Sequence, residues 1–151
     1  MKYVLLLLAF FAFSTAQAQK ADKYPRFSTA AGQVTFFSTT PIEDIEAQNK
    51  QAAAAIDLGT GQIAFSVPIR GFIFTRTLMQ EHFNENYLES DKYPKATFSG
   101  KVAGLNAATL GQGQQKATVE GDLTIHGVTH HITVPGVVEL KNNQLQAVAT
   151  F

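Results

Sequence analysis

The chain has 151 residues, of which 12 are basic and 12 acidic, and it contains no cysteine. This balanced charge excludes a strongly basic protein, so neither nucleic acid nor an anionic membrane surface is an expected partner. Without cysteine the fold has no disulfides and must be stabilised by packing, and its length is typical of one domain.

The first residues have the order of a secretory signal peptide. Lys2 supplies a positive charge, ten apolar residues follow at 4–13, and small residues in an Ala-x-Ala arrangement end at Ala18. Ten apolar residues at about 1.5 Å each span only about half of the hydrocarbon core of a bilayer, which disfavours a membrane anchor. We therefore expect cleavage after Ala18, a domain formed by residues 19–151, and a periplasmic or secreted protein.

Beyond the signal peptide, the dominant pattern is an alternation of apolar and polar residues. It is clearest in residues 62–69 and 119–126, where nearly every second residue is apolar. A period of two with one apolar face predicts β-strands that have one buried side and one side in water. The predicted strands cover residues 26–30, 33–39, 47–57, 61–70, 96–105, 116–126, 130–141 and 144–151.

Turn-forming residues separate these predicted strands and favour hairpin connections. They lie at Ala31-Gly32, Gly59-Thr60-Gly61, Gly127-Val128 and Asn142-Asn143. Pro68 has no N–H group, so we expect it at a strand end, an edge or a bulge. The alternation changes phase between Ile69 and Phe72, and a bulge at Gly71 would keep both side chains inward.

One segment in the middle of the chain departs from the β pattern. Thr77 and Gln80 have the spacing of a helix capping box, which predicts an amphipathic helix over residues 77–89. Its apolar stripe recurs every four residues, at Met79, Phe83 and Tyr87. This helix lies in the one long connection between strands, where it could cap a barrel or cover an open flank. Residues 41–45 are expected to form a further turn of helix.

Many short strands joined mostly by hairpins predict an all-β fold, either a barrel or a sandwich. Within it, Tyr93-Pro94 forces an extended entry to a strand, because the residue before proline is driven away from helical conformations. Gly127 allows a tight turn. These residue types have clear folding roles, so the pattern around them indicates the fold more directly than the function.

Two stretches resemble the signatures of a known family. Residues 91–98, DKYPKATF, resemble the sDxYPxAtF signature of the YceI-like family, and residues 121–129, GDLTIHGVT, resemble its GxLTixGvT hairpin. The two motifs occur in the family's order and at about its separation. The family also places a helix before the first motif, as residues 78–88 would be here. The resemblance covers roughly residues 26–151.

This resemblance implies a lipocalin-like antiparallel β-barrel with one short helix in a long connection. It also implies an elongated apolar cavity that holds a polyisoprenoid or a similar long-chain lipid as the partner of the protein, with no cofactor. Family members usually continue beyond the position of Phe151 for a further strand or two, so we expect this chain to be a fragment. Neither an integral membrane protein nor an enzyme is expected, and a homodimer is left open.

The histidines offer the main alternative chemistry. His126 and His130 bracket a predicted hairpin turn, and Asp122 shares the parity of His126, so the three could approach one another. Zinc sites take three or four ligands, and no further ligand is evident, nor is one beside His82 and Glu85 on the predicted helix. No Gly-x-Ser-x-Gly elbow or phosphate-binding Gly-rich loop is present. We therefore predict surface histidines, no bound metal and no catalytic residue, with a metal-dependent enzyme as an alternative.

The aromatic residues carry more information about function than the histidines do. Small barrels can fill themselves, so the residues alone favour a core of phenylalanines, as in a non-enzymatic structural, interaction or stress-response module with a filled barrel. The family resemblance favours a cavity lined by the same residues, which suits a ligand with almost no hydrogen-bonding groups. The predicted lining consists of Phe36, Phe65, Val67, Ile69, Phe72, Phe74, Met79, Phe83, Tyr87, Phe98, Leu123 and Ile125.

Overall fold

The computed structural model describes residues 23–39 and 41–150, so the predicted signal peptide lies outside the described residues. The described strands are β1 (Arg26–Thr39), β2 (Asp44–Asp57), β3 (Gln62–Pro68), β4 (Ile73–Phe74), β5 (Lys95–Ala103), β6 (Gln115–Ile125), β7 (Val128–Lys141) and β8 (Gln144–Ala149). They form one antiparallel sheet in the order β1-β2-β3-β5-β6-β7-β8, with β4 paired to β2. The sheet curves into a nearly closed barrel, which confirms the predicted fold class.

The first two predicted strands are a single strand, β1, so the turn predicted at Ala31-Gly32 is wrong. Between Thr29 and Val34 the pairing of β1 with β2 shifts register, which marks a bulge in place of a turn. A Cβ at Gly32 would lie 3.0 Å from the carbonyl oxygen of Ala52, so this glycine allows the two strands to approach closely at the irregularity.

Strand β2 begins earlier than predicted, and the helical turn predicted at residues 41–45 is wrong. Asp44 already pairs with Thr39 of β1, and Ile45 pairs with Ser38. Ile45 and Ala47 continue the apolar alternation into this segment, and both pack in the core. The pairing with β1 therefore overrides the local helical pattern.

Two hairpin turns use residues with positive φ, as two-residue turns between right-twisted strands require. Asn142 and Asn143, with φ of 51° and 60°, join β7 to β8 as predicted. The turn between β6 and β7 consists of His126 and Gly127, with φ of 51° and 72°, one residue earlier than predicted. Gly127 is also needed for space, because a Cβ there would lie 2.6 Å from Cε1 of Tyr93.

Strand β3 ends at Pro68, as expected for a residue without an N–H group. The predicted bulge at Gly71 is replaced by a turn of 3-10 helix, Ile69–Gly71, which changes the phase of the inward residues. Ile69 and Phe72 are both buried, so their predicted inward placement is confirmed. The change of phase comes from a 3-10 turn and not from a bulge.

A buried polar side chain, Asn49 of β2, fixes this turn. Its amide nitrogen donates to the carbonyl of Pro68 at 2.7 Å, and its side-chain oxygen accepts from the backbone N–H of Gln51 at 2.8 Å. The side chain is fully buried, and a Cβ at Gly71 would lie 2.7 Å from its amide nitrogen. Asn49 therefore joins the middle of β2 to the end of β3, and Gly71 provides the room for it.

The long connection carries the helix α1, Thr77–His82, which continues as a π-helical turn at Phe83–Tyr87. The predicted helix is confirmed, but the predicted capping box is wrong. Arg76 is the N-cap residue, and its side chain makes no capping hydrogen bond. The Gln80 side chain instead accepts from the N–H of Phe74 at 3.1 Å, so it ties the helix to β4. Among the described residues, no helix has the length and apolar character needed to cross a membrane.

Within the described part of the chain, two apolar clusters make up most of the core. The helix-side cluster lies where α1 meets the sheet, and its buried members are Ala47, Ala52, Val67, Ile69, Phe72, Phe74 and Ala96. The loop-side cluster contains Leu110, Ala117 and Val138. Leu110 is fully buried and belongs to a 3-10 segment, Ala107–Gln112, that sequence patterns did not predict.

Replacement of Asn49 tests how much its two buried hydrogen bonds stabilise the fold. We expect Asn49→Ala to lower the free energy of unfolding by about 2 to 3 kcal/mol, because the Pro68 carbonyl and the Gln51 N–H lose their buried partner. Urea unfolding measures the change. The neighbouring exposed residue provides the control, since Gln48→Ala should change stability by less than about 0.5 kcal/mol. Equal effects of the two substitutions would contradict the role of Asn49.

Gly121 tests the close approach of β5 and β6. A Cβ at this position would lie 2.5 Å from Cα of Gly100 and 2.9 Å from Cζ of Phe98, so Gly121→Ala should destabilise the fold by about 1 to 3 kcal/mol. Gly111→Ala is the matched control, because a Cβ at Gly111 meets no atom within 4 Å. A shift in melting temperature confined to the first variant is expected, and an unchanged Gly121→Ala would overturn this description.

Candidate ligand-binding site

The inner face of the sheet is defined by the strand register. Phe65 of β3 lies directly opposite Phe98 of β5, and Phe98 lies directly opposite Leu123 of β6. Directly opposite residues of antiparallel strands share one face, so the three side chains form one row across the sheet. The rings of Phe65 and Phe98 are stacked, with centroids 4.9 Å apart. Phe98 is buried, whereas Phe65 and Leu123 are only half-buried.

The next row of the same face is apolar, but two of its residues are glycines without side chains. Gly100 lies opposite Gly121, and Gly121 lies opposite Ile132 of β7. The ring of Phe98 lies over Gly121, because a Cβ at position 121 would lie only 2.9 Å from Cζ of that ring. Ile132 is half-buried, so the middle of the inner face offers apolar surface that the chain's own side chains cover only partly.

The ring of Phe83 joins the helix to the barrel. Its centroid lies 4.8 Å from that of Phe74, 5.6 Å from that of Phe72 and 6.5 Å from that of Phe36. Such separations are typical of attractive edge and tilted arrangements of aromatic rings. Met79 packs against the same helix-side cluster. The helix therefore closes this side of the barrel with a packed aromatic contact.

The twelve predicted lining residues have different degrees of exposure. Seven belong to the helix-side cluster or pack against it: Phe65, Val67, Ile69, Phe72, Phe74, Met79 and Phe83. Phe98 is buried and Leu123 half-buried in the central row. Three are more exposed, with exposed fractions of 41% for Phe36, 38% for Ile125 and 73% for Tyr87. The structure thus brings nine of the twelve into the two adjoining parts of one apolar interior.

The predicted apolar stripe of the helix is interrupted at Tyr87. Leu88 donates its N–H to the carbonyl of Phe83 at 2.9 Å, five residues back, as in a π turn. This wider turn changes the angular position of the following residues, so Leu88 packs against the helix-side cluster and Tyr87 faces solvent. Leu88 was missed because the regular spacing of four residues placed Tyr87 on the apolar face.

An open concavity of about 700 Å³ lies elsewhere on the molecule. It is bordered by the start of β6, the middle of β7 and the end of β8, at residues 116–118, 135–137 and 148–150. The residues that border it include none of the twelve predicted lining residues. The cavity-lining role of those twelve therefore stays a prediction.

Three of the histidines lie at different places in the β6–β7 hairpin: His126 lies in its turn, and His130 lies opposite Leu123 on the inner face. His131 lies on the outer face and contacts Asp122 at 2.8 Å and Glu120 at 3.0 Å. Hydrogen bonds to Asp122 and then Glu120 raise the pKa of His131 above its usual value. His126 instead contacts Glu89 at 2.6 Å. The grouping of His126, His130 and Asp122 considered from the sequence is not formed, since Asp122 is bonded to His131.

Within residues 23–39 and 41–150, no group of three or more His, Asp or Glu side chains could hold a metal ion. His126 has a structural environment instead. Its ring meets that of Tyr93 edge-on, with centroids 4.8 Å apart, and its partner Glu89 lies at the end of the helical connection. This contact joins the two sequence motifs, because Tyr93 belongs to the first motif and His126 to the second.

Several solved structures are similar to this chain. A polyisoprenoid-binding domain from Saccharophagus degradans, implicated in plant cell wall breakdown, aligns with 78% of this chain and 68% of its own, at 16% identity and a TM-score of 0.62. BcnA of Burkholderia cenocepacia aligns with 81% of this chain and 65% of its own, at 19% identity and a TM-score of 0.49. The YCEI protein of Campylobacter jejuni aligns with 91% of this chain and 69% of its own, at 15% identity and a TM-score of 0.45.

No curated protein matches the sequence. The family model for the YceI-like domain does match, over residues 12–151. This range includes both sequence motifs and all strands of the barrel, and it confirms the resemblance found in those motifs. The chain therefore belongs to the YceI-like family.

Proposed function

We propose that this protein is exported and that it encloses a long apolar ligand, such as a polyisoprenoid, against the inner face of its barrel. The observation that carries the proposal is the central row of Phe65, Phe98 and Leu123, in which the outer two side chains are only half-buried. Apolar surface left partly in water is stabilised when a ligand covers it, by about 25 cal/mol per Å². These three side chains carry no hydrogen-bonding group, so this part of the row suits a hydrocarbon chain, and beyond Leu123 the row ends at the imidazole of His130 in β7.

Two further observations support this proposal. The chain belongs to the YceI-like family, and a structure with the same fold is described as a polyisoprenoid-binding domain. At 16% identity this likeness establishes the fold, and the ligand class comes to this chain as part of the proposal. The role proposed is sequestration or transport of the lipid, without catalysis, and the protein would act in the periplasm or outside the cell.

A structural or interaction module with a filled barrel is the second candidate function. The packing of Phe72, Phe74 and Phe83 against one another favours it, because these rings fill the helix-side end themselves. The two functions differ in what they predict for the central row. A carrier needs that row to contact a ligand, whereas a filled module binds no lipid and tolerates polar substitutions there as far as stability allows.

A charged substitution on the inner face tests the carrier function. We expect Leu123→Glu to weaken binding of a fluorescent long-chain lipid at least about tenfold, because a carboxylate there must lose water when the ligand covers it. Thr97→Glu is the matched control, since Thr97 is exposed and adjoins Phe98 on the opposite face. It should bind lipid as the unmodified protein does.

Thermal unfolding of both variants establishes that they are folded at the temperature of the binding measurement. If the unmodified protein binds no long-chain lipid, and organic extracts of the purified protein contain none by mass spectrometry, the carrier function is wrong. Equal lipid binding by Leu123→Glu and Thr97→Glu would show that the lipid does not bind at the inner face.

The proposed export can be tested independently of lipid binding. When the full sequence is expressed in a Gram-negative bacterium, the mature protein should be recovered from the periplasmic fraction with Gln19 as its first residue. N-terminal sequencing and the intact mass identify the cleavage position. Recovery of the uncut chain from the cytoplasm would contradict the proposed localisation and leave lipid binding to be judged separately.

A further inference from the structure

His130 of β7 interrupts the apolar pattern of the inner face. It pairs directly with Leu123 of β6, so it lies at the end of the central row that starts at Phe65 and Phe98. Directly opposite residues of antiparallel strands have Cβ atoms about 5 Å apart, so the imidazole stands beside the side chain of Leu123. The central row therefore ends in a group that can form hydrogen bonds.

The inner-face neighbours of His130 in the β6–β7 hairpin are all apolar. They are Gly121, Leu123 and Ile125 of β6 and Val128 and Ile132 of β7. An apolar residue at position 130 would complete the alternation, whereas a histidine places polar atoms on a face that otherwise presents hydrocarbon. Sites for apolar ligands typically carry a few such polar groups, which fix the orientation of the ligand.

The adjacent histidine faces a different environment. His131 contacts the carboxylates of Asp122 and Glu120 on the outer face. The register turns His130 away from both carboxylates, because successive side chains of a strand point to opposite faces. An imidazole beside the apolar row is therefore placed to meet an acidic group that a ligand brings.

The ring of His130 is accessible from solvent. Strand β8 pairs with β7 at residues 136–141, so among the described residues β6 is the one strand that pairs with β7 at His130. His130 is exposed there, and Leu123 beside it is half-buried. A ligand can therefore cover Leu123 with its chain and still keep a charged head group at His130 in contact with water.

We propose that the imidazole of His130 binds the carboxylate of a long-chain lipid acid, whose hydrocarbon chain lies along the central row. This inference rests on the proposed lipid-binding function and specifies the head group of its ligand. Imidazole has an N–H donor in both its neutral and its protonated form, and hydrogen bonds to an ionised carboxylate are about twice as strong as those between neutral groups. Because the position is exposed, the carboxylate keeps part of its hydration and avoids the cost of a fully buried charge.

The distribution of basic side chains favours a carboxylate over a larger anion. The strand register directs the lysines of β5, β6 and β7 to the outer face, namely Lys95, Lys101, Lys116 and Lys141. One imidazole can balance the single charge of a carboxylate, whereas a diphosphate carries several charges and suits a site with several basic groups. An alcohol forms only a neutral hydrogen bond with the same ring. The acid is therefore the favoured member of the series.

Competition between three probes with the same chain tests this selection. Geranylgeranoic acid, geranylgeraniol and geranylgeranyl diphosphate are each used to displace a fluorescent long-chain lipid from the purified protein, at neutral pH where the acid is ionised. We expect the acid to bind about fivefold to tenfold more tightly than the alcohol, as one charge-assisted hydrogen bond at an exposed position allows. The diphosphate should bind no more tightly than the acid.

Three variants test the position of the head group. His130→Leu should bind the acid no more tightly than the alcohol, while its affinity for the alcohol changes less than about threefold. His130→Lys should keep the preference for the acid, because it retains a cationic donor at this position. His131→Leu is the matched control, since it removes the neighbouring histidine from the outer face, and it should also keep the preference. Melting temperatures of the variants establish that they are folded.

The outcomes distinguish this inference from the function on which it rests. If the unmodified protein binds the acid and the alcohol equally, or binds the diphosphate most tightly, the lipid-binding function stands and the proposed head group is wrong. The role of His130 is also wrong if His130→Leu keeps the preference for the acid, or if either of the other two variants loses it. If the unmodified protein binds none of the three probes, both the carrier function and the role of His130 are wrong.

Discussion

The structure depends on strand register keeping one set of side chains on one curved face. In antiparallel strands a shift of one residue would send every apolar side chain to the opposite side, so the register is strongly specified wherever one face is buried. The pairings from β3 through β6 set Phe65, Phe98 and Leu123 in one row. The same register sends Asp122 and its partner His131 to the outer face. Separation of the apolar interior from the polar surface follows from this constraint.

Two residues, Gly121 and Asn49, adapt the sheet to the side chains in its interior. Where β5 and β6 approach closely, Gly121 leaves room for the ring of Phe98. At the end of β3, Asn49 holds a 3-10 turn that brings Ile69 and Phe72 into the core. The interior consequently has a closely packed helix-side end and a central row that is only partly covered. A carrier for an apolar chain needs both properties, since the packed end stabilises the fold and the central row provides surface for the ligand.

Sequence patterns predicted the strands well because alternation of apolar residues reports directly on which face is buried. They failed where tertiary contacts override local preference. Gly32 has the composition of a turn but lies in a bulge of β1, and Asp44 starts a strand because it pairs with β1. Asn49 was missed because a polar residue at an inward position looks like an interruption, although two buried hydrogen bonds satisfy it.

Prediction of the candidate site was less complete than prediction of the fold. The inward aromatic residues follow from alternation, so Phe65, Phe72, Phe74 and Phe98 could be placed from the sequence. The π turn could not, because no residue pattern distinguishes it from regular helix, and it decides that Leu88 packs inward while Tyr87 is exposed.

In the proposed complex an apolar ligand lies against the central row of the inner face. A crystal structure of the full chain saturated with geranylgeraniol would locate the ligand. Continuous ligand density in contact with Phe65, Leu123 and Ile132 is expected. Density confined to the concavity bordered by β6, β7 and β8, or a central row covered by protein side chains with no ligand, would contradict it.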